Sequence, residues 1–90
     1  DVVMMRAKIA LKKRDYKATV DYLQNILDNY KDDLLVDNAL FMLGDLYEHQ
    51  LNDKQKAMGY YQEILLNQAG SLFMAEARKR FRKLRGDKVN

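Results

Sequence analysis

Apolar side chains recur every three or four residues along most of the chain, which is the spacing of helices that bury one face. Short polar segments interrupt this pattern between successive stretches. The pattern predicts five helices, at residues 2–13, 16–30, 34–50, 54–67 and 72–85. Because the connections are only about two to four residues long, antiparallel neighbours are expected. The prediction is an all-α chain.

Each polar segment holds a side chain that can accept hydrogen bonds from the first amides of the following helix. The expected capping residues are Asp15, Asp32 or Asp33, Asn52-Asp53, and Ser71. Gly70 is expected to end the fourth helix and Gly86 the fifth, because glycine readily takes the left-handed conformation that closes a helix. The sequence has no proline and only four glycines, which favours helix throughout.

The helices repeat in pairs. The second and fourth superpose at an offset of 38 residues, which aligns Thr19 with Ala57 and Leu23 with Tyr61. The first and third superpose at an offset of 37, which aligns Ala7 with Gly44. The sequence therefore indicates two helical hairpins followed by a single fifth helix.

The second hairpin carries the most specific pattern, Leu40-x2-Leu43-Gly44-x2-Tyr47 followed by Ala57-x3-Tyr61. This order resembles the tetratricopeptide repeat, whose pattern is W-x2-L-G-x2-Y, then A-x3-F, then P. In the first hairpin the motif positions hold other residues, and neither hairpin has the proline; Lys31 and Ala69 stand there instead. The residues expected at the close helix crossing are Leu43, Gly44, Tyr47, Ala57 and Tyr61.

The resemblance implies a right-handed α-α superhelix of two hairpins with a C-terminal capping helix, in one domain over residues 1–90. The first repeat would span about residues 2–31, the second about 34–68, and the capping helix about 71–85. The segments LNDKQKAMGYYQEILLNQAGS and EARKRFRKLRGD are similar to the C-terminal end of bacterial tetratricopeptide arrays of the Bacteroidetes type. That similarity suggests a periplasmic or envelope-associated setting.

The first residue is Asp1 rather than Met, so we expect a fragment of a longer protein. Nothing upstream covers the apolar start of the first helix. The isolated chain is therefore expected to self-associate there, through Val2, Val3, Met4 and Met5.

The resemblance also implies a function, which is to bind a peptide or a partner protein on the concave face of the array. The first helix of each hairpin would line that face, with Met4 at its start. The expected partner-binding residues are Lys8, Leu11, Lys12, Asn38, Phe41, Asp45, Glu48 and His49. Phe41 lies off the main apolar stripe, so it is either an apolar anchor for a peptide or a residue that packs against the fifth helix or its linker.

Charge distinguishes the C-terminal segment from the rest. The net charge is +3, but residues 71–90 carry seven basic and two acidic side chains, whereas residues 1–70 carry nine and eleven. A basic patch at Arg78, Arg82 and Arg85 can bind the phosphates of a nucleic acid, another anionic surface or an acidic protein, or it can be a solvated outer face. Phe81 and Leu84 are expected to point inward, which leaves no aromatic side chain to stack on bases and disfavours a nucleic-acid partner. A purely structural role, in which this end closes a longer solenoid, is the remaining alternative.

No motif in the sequence indicates catalysis, metal binding or cofactor binding. The chain has no cysteine, and its one histidine, His49, stands beside Glu48, which points about 100° away on a helix. Asp32, Asp33 and Asp37 lack the glycine and glutamate of a calcium loop, so they are expected to cap the third helix or to favour its dipole. No phosphate-binding loop or catalytic triad is present. We therefore expect no catalytic residue, metal or cofactor, and the apolar runs are too short to span a membrane.

Overall fold

The computed structural model describes residues 1–86, and in that part of the chain every regular element is an α-helix. The helices are α1 (Val2–Lys12), α2 (Tyr16–Asn29), α3 (Asp33–His49), α4 (Lys54–Asn67) and α5 (Met74–Arg85). Each helix packs chiefly against the next one along the chain. The prediction of an all-α helical-repeat fold is confirmed.

Aspartates begin the second, third and fourth helices. Asp15 accepts a hydrogen bond from the Ala18 amide at 3.2 Å, and Asp53 accepts one from the Lys56 amide at 3.1 Å. Of the two candidates before α3, Asp32 is the one that caps, by accepting from the Leu35 amide at 3.0 Å. The capping positions of these three helices are therefore as the sequence predicts.

The turns of the two hairpins end in the same way. Arg14 and Asn52, which precede the capping aspartates, both take positive φ angles, of 61° and 53°. The amide of Asp15 then donates to the Ala10 carbonyl and that of Asp53 to the Tyr47 carbonyl, both at 2.9 Å. The repeat found in the sequence is thus matched by the backbone at the end of both turns, although the second turn is one residue longer.

The fifth helix begins later than predicted. Ser71 does not cap a helix at residue 72: its hydroxyl accepts from the Phe73 amide at 3.0 Å, and its carbonyl accepts from the Met74 amide at 3.2 Å. These bonds form a turn, so α5 starts at Met74. Gly70 does not end α4 either, because that helix closes at Gln68. Gly86, with φ of 98°, ends α5 as expected.

The core consists of two buried clusters that share α3. The first joins α1, α2 and α3 through Met4, Ala7, Leu23, Ile26, Ala39 and Leu43. The second joins α3, α4 and α5 through Leu40, Ala57, Tyr61, Ile64 and Ala77. Because α3 contributes to both clusters, it is the central element on which the two hairpins meet.

Helices α3 and α4 approach each other closely at Gly44 and Tyr61. Tyr61 is fully buried, and a Cβ atom added to Gly44 would lie only 2.5 Å from Cε1 of the tyrosine ring. The equivalent positions of the first hairpin hold Ala7 and Leu23, which are equally buried. The larger aromatic ring in the second hairpin therefore requires the smaller residue opposite it.

Candidate partner-binding groove

The eight predicted partner-binding residues divide into two sets. Lys8, Leu11, Lys12, Asn38 and Asp45 line two depressions between α1 and α3. The other three, which are Phe41, Glu48 and His49, make contacts toward α4 and α5 or along α3 itself.

The two depressions follow α1 and α3 from one end to the other. The first, of about 380 Å³, lies between the N-terminal halves of these helices and includes Lys8, Leu34 and Asn38. The second, of about 370 Å³, lies between the C-terminal halves of α1 and α3 and the first half of α2, and it includes Lys12 and Met42. We call this pair of depressions, with the residues that line both, the α1–α3 groove.

The α1–α3 groove has an apolar floor and a charged rim. Leu34 is largely exposed, while Leu11 and Met42 are partly exposed in the floor. Lys8 and Lys12 lie one helical turn apart on α1 and are both exposed. An arrangement of apolar pockets flanked by charges can hold the side chains of an extended or helical peptide.

Phe41 packs against the fifth helix and its linker, which is the second of the two alternatives that the sequence left open. Its ring stacks on Phe73 with the centroids 4.7 Å apart, and it tilts against Tyr61 at 5.8 Å. The guanidinium of Arg80 lies 4.8 Å from the centroid of the same ring. Phe41 is therefore packed by α4, α5 and the segment between them, and it does not offer a free anchor to a peptide.

Arg80 is the centre of a polar network that joins α5 to the second hairpin. Its Nη1 donates to Asp45 Oδ1 at 2.7 Å and to the Tyr61 hydroxyl at 3.1 Å, and its Nε donates to Glu76 at 3.0 Å. The Tyr61 hydroxyl in turn donates to Glu48 Oε1 at 2.8 Å. Asp45 and Glu48 thus hold α5 and α4 in place, although Asp45 also borders the α1–α3 groove.

This network fixes the charge states of its members. Burial raises the pKa of the Tyr61 phenol, the bond from Arg80 opposes that effect, and the bond to Glu48 reinforces it. Burial alone would lower the pKa of Arg80, but its bonds to Tyr61, Asp45 and Glu76 outweigh burial and raise the pKa above the ordinary arginine value. Tyr61 is therefore a neutral donor and Arg80 a cation at physiological pH.

His49 lies between two carboxylates of its own helix. Its Nδ1 is 3.6 Å from Asp45 and its Nε2 is 3.8 Å from Glu48. Within residues 1–86, no group of three or more histidine or carboxylate side chains is arranged to hold a metal ion. Over the same range, no helix combines the length and apolar character needed to cross a bilayer.

Asp37 differs from the sequence interpretation. It is buried in α3 and does not cap a helix, a role that Asp32 fills. Its Oδ1 atom is buried and has no hydrogen-bond partner. The acidic cluster predicted at residues 32, 33 and 37 is thus divided between the start of α3 and the interior.

The basic patch lies on the outer side of α5. Arg78 and Arg82 are exposed, as are Lys79, Lys83 and Arg85, and the guanidinium of Arg85 lies 5.3 Å from the Phe81 ring centroid. Phe81 and Leu84 pack against the second core cluster, which confirms that they point inward. Asp87 and Lys88, which belong to the same charged segment, lie outside the described residues.

The start of α1 also differs in detail from the expectation. Met4 is buried and Val3 is partly buried against the first core cluster, so these two side chains offer less surface for self-association than Val2 and Met5. The exposed apolar stripe on this helix is instead Val2, Met5 and Ile9, which follow helical spacing.

Sequence reasoning did not single out Arg80 or the contact between Phe73 and Phe41. Arg80 lies in a run of five basic residues among six, which conceals that it differs from its neighbours. Two signals distinguish it: Glu76 lies four residues before it, and it shares the inner side of α5 with Ala77 and Leu84. No such signal exists for Phe73, because its contact with Phe41 depends on the path of the turn.

A family model of the tetratricopeptide repeat matches residues 38–71, which run from the first part of α3 to the turn after α4. Comparisons with curated proteins and with solved structures gave no match. The matched segment contains the crossing of Gly44 with Tyr61, around which the other helices pack in chain order. Residues 38–71 therefore carry a tetratricopeptide repeat, and the all-helical architecture of residues 1–86 fits a tetratricopeptide-repeat-like protein.

Proposed function

We propose that this chain is a non-catalytic scaffold that holds a peptide or a segment of a partner protein in the α1–α3 groove. Tetratricopeptide repeats generally mediate protein–protein interactions. The observation that supports this site is the pair of depressions along the two helices, which include five of the residues expected on the concave face. Their side chains combine apolar and charged contacts, as peptide recognition requires.

The other side of α3 is less suited to a partner. There, Phe41 is covered by Phe73 and Arg80, and Asp45 and Glu48 already receive hydrogen bonds from α5 and α4. The role of α5 in this proposal is therefore to close the second hairpin. The surface that remains open lies on the α1 side of α3.

A peptide-display selection on the purified chain tests the proposal. The key variant is Lys8→Glu with Lys12→Glu, which reverses the charges on the rim of the α1–α3 groove. The control is Lys17→Glu with Lys31→Glu, which makes the same change in net charge at exposed positions on α2 and the turn after it. Selected peptides should bind the groove variant at least about tenfold more weakly than the wild type, because rim charges govern recognition.

The control variant should retain the affinity of the wild type. Selected peptides that bind the two variants equally well would place the recognition surface elsewhere and contradict the proposal.

A second candidate function rests on the outer side of α5. Five basic side chains are exposed there, and the one acidic residue of α5, Glu76, is paired with Arg80. The exposed positive charge of Arg78, Lys79, Arg82 and Lys83 supports binding of a nucleic acid or another anionic surface. The inward position of Phe81 means that such binding would depend on charge and not on stacking.

Salt titration separates this candidate from the first. Binding of a single-stranded oligonucleotide to α5 should weaken steeply as salt rises, in proportion to the phosphates that are neutralised. Replacing Arg78, Arg82 and Arg85 by alanine should abolish it, whereas the Lys8 and Lys12 reversals should have only the smaller effect of net charge. Binding that survives the three alanine substitutions would exclude α5 as the anionic site.

A further inference from the structure

The outer face of α4 combines a glycine, two opposite charges and an exposed leucine. We define this face by Gln55, Lys56, Gly59, Gln62, Glu63 and Leu66, all of which are exposed. Leu66 is 70% exposed, which makes it one of the most exposed large apolar residues of the described chain. This face takes no part in the α1–α3 groove or in the packing of α5.

Gly59 is not required by the fold of a single copy. A Cβ atom at this position would meet no other atom within 4 Å, although glycine in the middle of a helix is less stable than alanine. Gly59 also borders a cavity of about 490 Å³ that lies between α2, α3 and α4 and is floored by Leu27, Leu40 and Tyr60. A side chain of minimal size at this rim lets another helix approach the α4 backbone closely.

The charges on this face are complementary to those on the same face of a second, antiparallel copy. Lys56 and Glu63 lie on either side of Gly59 and Tyr60, about 10 Å apart along the helix axis at 1.5 Å per residue. Neither is neutralised by an opposite charge: the Lys56 ammonium lies 5.2 Å from the Tyr47 ring centroid, and Glu63 accepts a hydrogen bond from the Asn67 amide. If two copies of α4 cross antiparallel at a point between Gly59 and Tyr60, Lys56 of each copy faces Glu63 of the other.

We propose that the occupant of this face is a second copy of the chain, paired through α4 about a two-fold axis between Gly59 and Tyr60. The pairing is isologous, so each favourable contact occurs twice. It also brings Leu66 of each copy toward the turn before α4 of the other, where Leu51 is partly exposed. A single helix pair buries less area than a standard stable interface, so the dimer is expected to be weak.

The exposed stripe on α1 is a poorer surface for self-pairing. Its apolar residues are flanked by exposed basic side chains, and within residues 1–13 the one acidic side chain is Asp1. Two such faces would bring like charges together, which opposes association. The basic side chains concerned are Arg6, Lys8, Lys12 and Lys13.

Sedimentation velocity over a concentration series tests the proposal by charge reversal and rescue. Lys56→Glu and Glu63→Lys should each weaken self-association by at least about tenfold, because each places like charges opposite one another twice. The double variant K56E/E63K should recover the wild-type affinity to within about threefold, because the pairs are re-formed with exchanged signs. Lys79→Glu on α5, which matches the charge change of Lys56→Glu, should leave association unchanged.

Gly59→Leu provides a second variant that does not depend on charge. It should fold with an unchanged or higher Tm, because leucine favours helix over glycine, and it should remain monomeric because the close approach is blocked. A wild-type chain that stays monomeric at about millimolar concentration would overturn the proposal, since even weak specific complexes associate there. Failure of the double variant to recover, or loss of the dimer on Met5→Lys with none on Lys56→Glu, would also overturn it.

Discussion

At the scale of single residues, the two glycines inside helices have opposite roles. Gly44 lies against the buried Tyr61 ring, whereas Gly59 faces open space. The same substitution should therefore change stability in opposite directions. Gly44→Ala should lower the free energy of unfolding by about 1–2 kcal/mol, because overpacking costs more than the gain in helix propensity returns.

Gly59→Ala should raise the free energy of unfolding by roughly 0.5–1 kcal/mol, because it gains helix propensity without any steric cost. Urea denaturation of both variants, at a concentration where the chain is monomeric, measures the two effects. A stabilising Gly44→Ala substitution would show that the α3–α4 crossing is looser than the structure indicates.

The Tyr61 hydroxyl gives a second prediction at this scale. Tyr61→Phe keeps the ring but removes the group that bridges Glu48 and Arg80, so it should cost about 1–2 kcal/mol. Tyr60→Phe is the matched control, because the structure shows no hydrogen bond from that hydroxyl. Equal effects of the two substitutions on the urea midpoint would mean that the network adds nothing to stability.

The raised pKa of Tyr61 predicts how stability depends on alkaline pH. The phenol ionises near pH 10 in the unfolded chain but at a higher pH in the folded one, so the unfolded state binds fewer protons above pH 10. The contribution of the Tyr61 phenol to the free energy of unfolding is complete below pH 10. It falls above pH 10, by up to about 1.4 kcal/mol per pH unit. Urea midpoints measured upward from pH 9 should decline less steeply for Tyr61→Phe, and an identical slope would contradict the assignment.

At the scale of elements, α5 is held in place by one arginine, Arg80. The composition of α5 does not distinguish this residue from the other basic residues of the helix. Arg80→Ala removes the bonds to Asp45, Tyr61 and Glu76 and uncovers Phe41, so we expect a loss of about 1–3 kcal/mol. Arg78→Ala, two residues earlier on the outer side, should change stability by no more than about 0.5 kcal/mol. Thermal unfolding of both variants measures the difference, and similar Tm values would mean that the Arg80 network does not hold α5.

The helices were predictable from the sequence because their signals are local. Apolar spacing placed all five, and Asp15, Asp32 and Asp53 begin the helices that follow them by bonds that span only three residues. The start of α5 was not predictable in this way. A serine before an apolar stretch can cap a helix or form a turn, and here the hydroxyl of Ser71 bonds to the Phe73 amide, which delays the helix.

The site was predictable only where it depends on the helix surface alone. Lys8, Lys12 and Asn38 border the α1–α3 groove because their positions on their own helices face it. Phe41 and Arg80 depend on how α5 crosses α3, which is set by contacts between residues more than thirty positions apart. The spacing of residues along the sequence does not predict how α5 crosses α3.

At the scale of the whole molecule, α3 separates two surfaces. One side of α3 is closed by α4 and α5 through the second core cluster and the Arg80 network. The other side borders α1 and keeps the depressions of the α1–α3 groove. The α5 side of α3 is thus covered around Phe41, whereas its α1 side keeps an open groove, which supports the proposal of a scaffold that holds a partner along α1 and α3.

Chemical-shift mapping of the ¹⁵N-labelled chain with a peptide from the display selection tests this account most directly. The largest amide shifts should lie at Lys8, Leu11, Lys12, Asn38 and Asp45, while Arg78, Lys79 and Arg82 on α5 stay unchanged. Shifts that are largest on α5, or that spread evenly over all five helices, would contradict the proposal that the α1–α3 groove is the recognition surface.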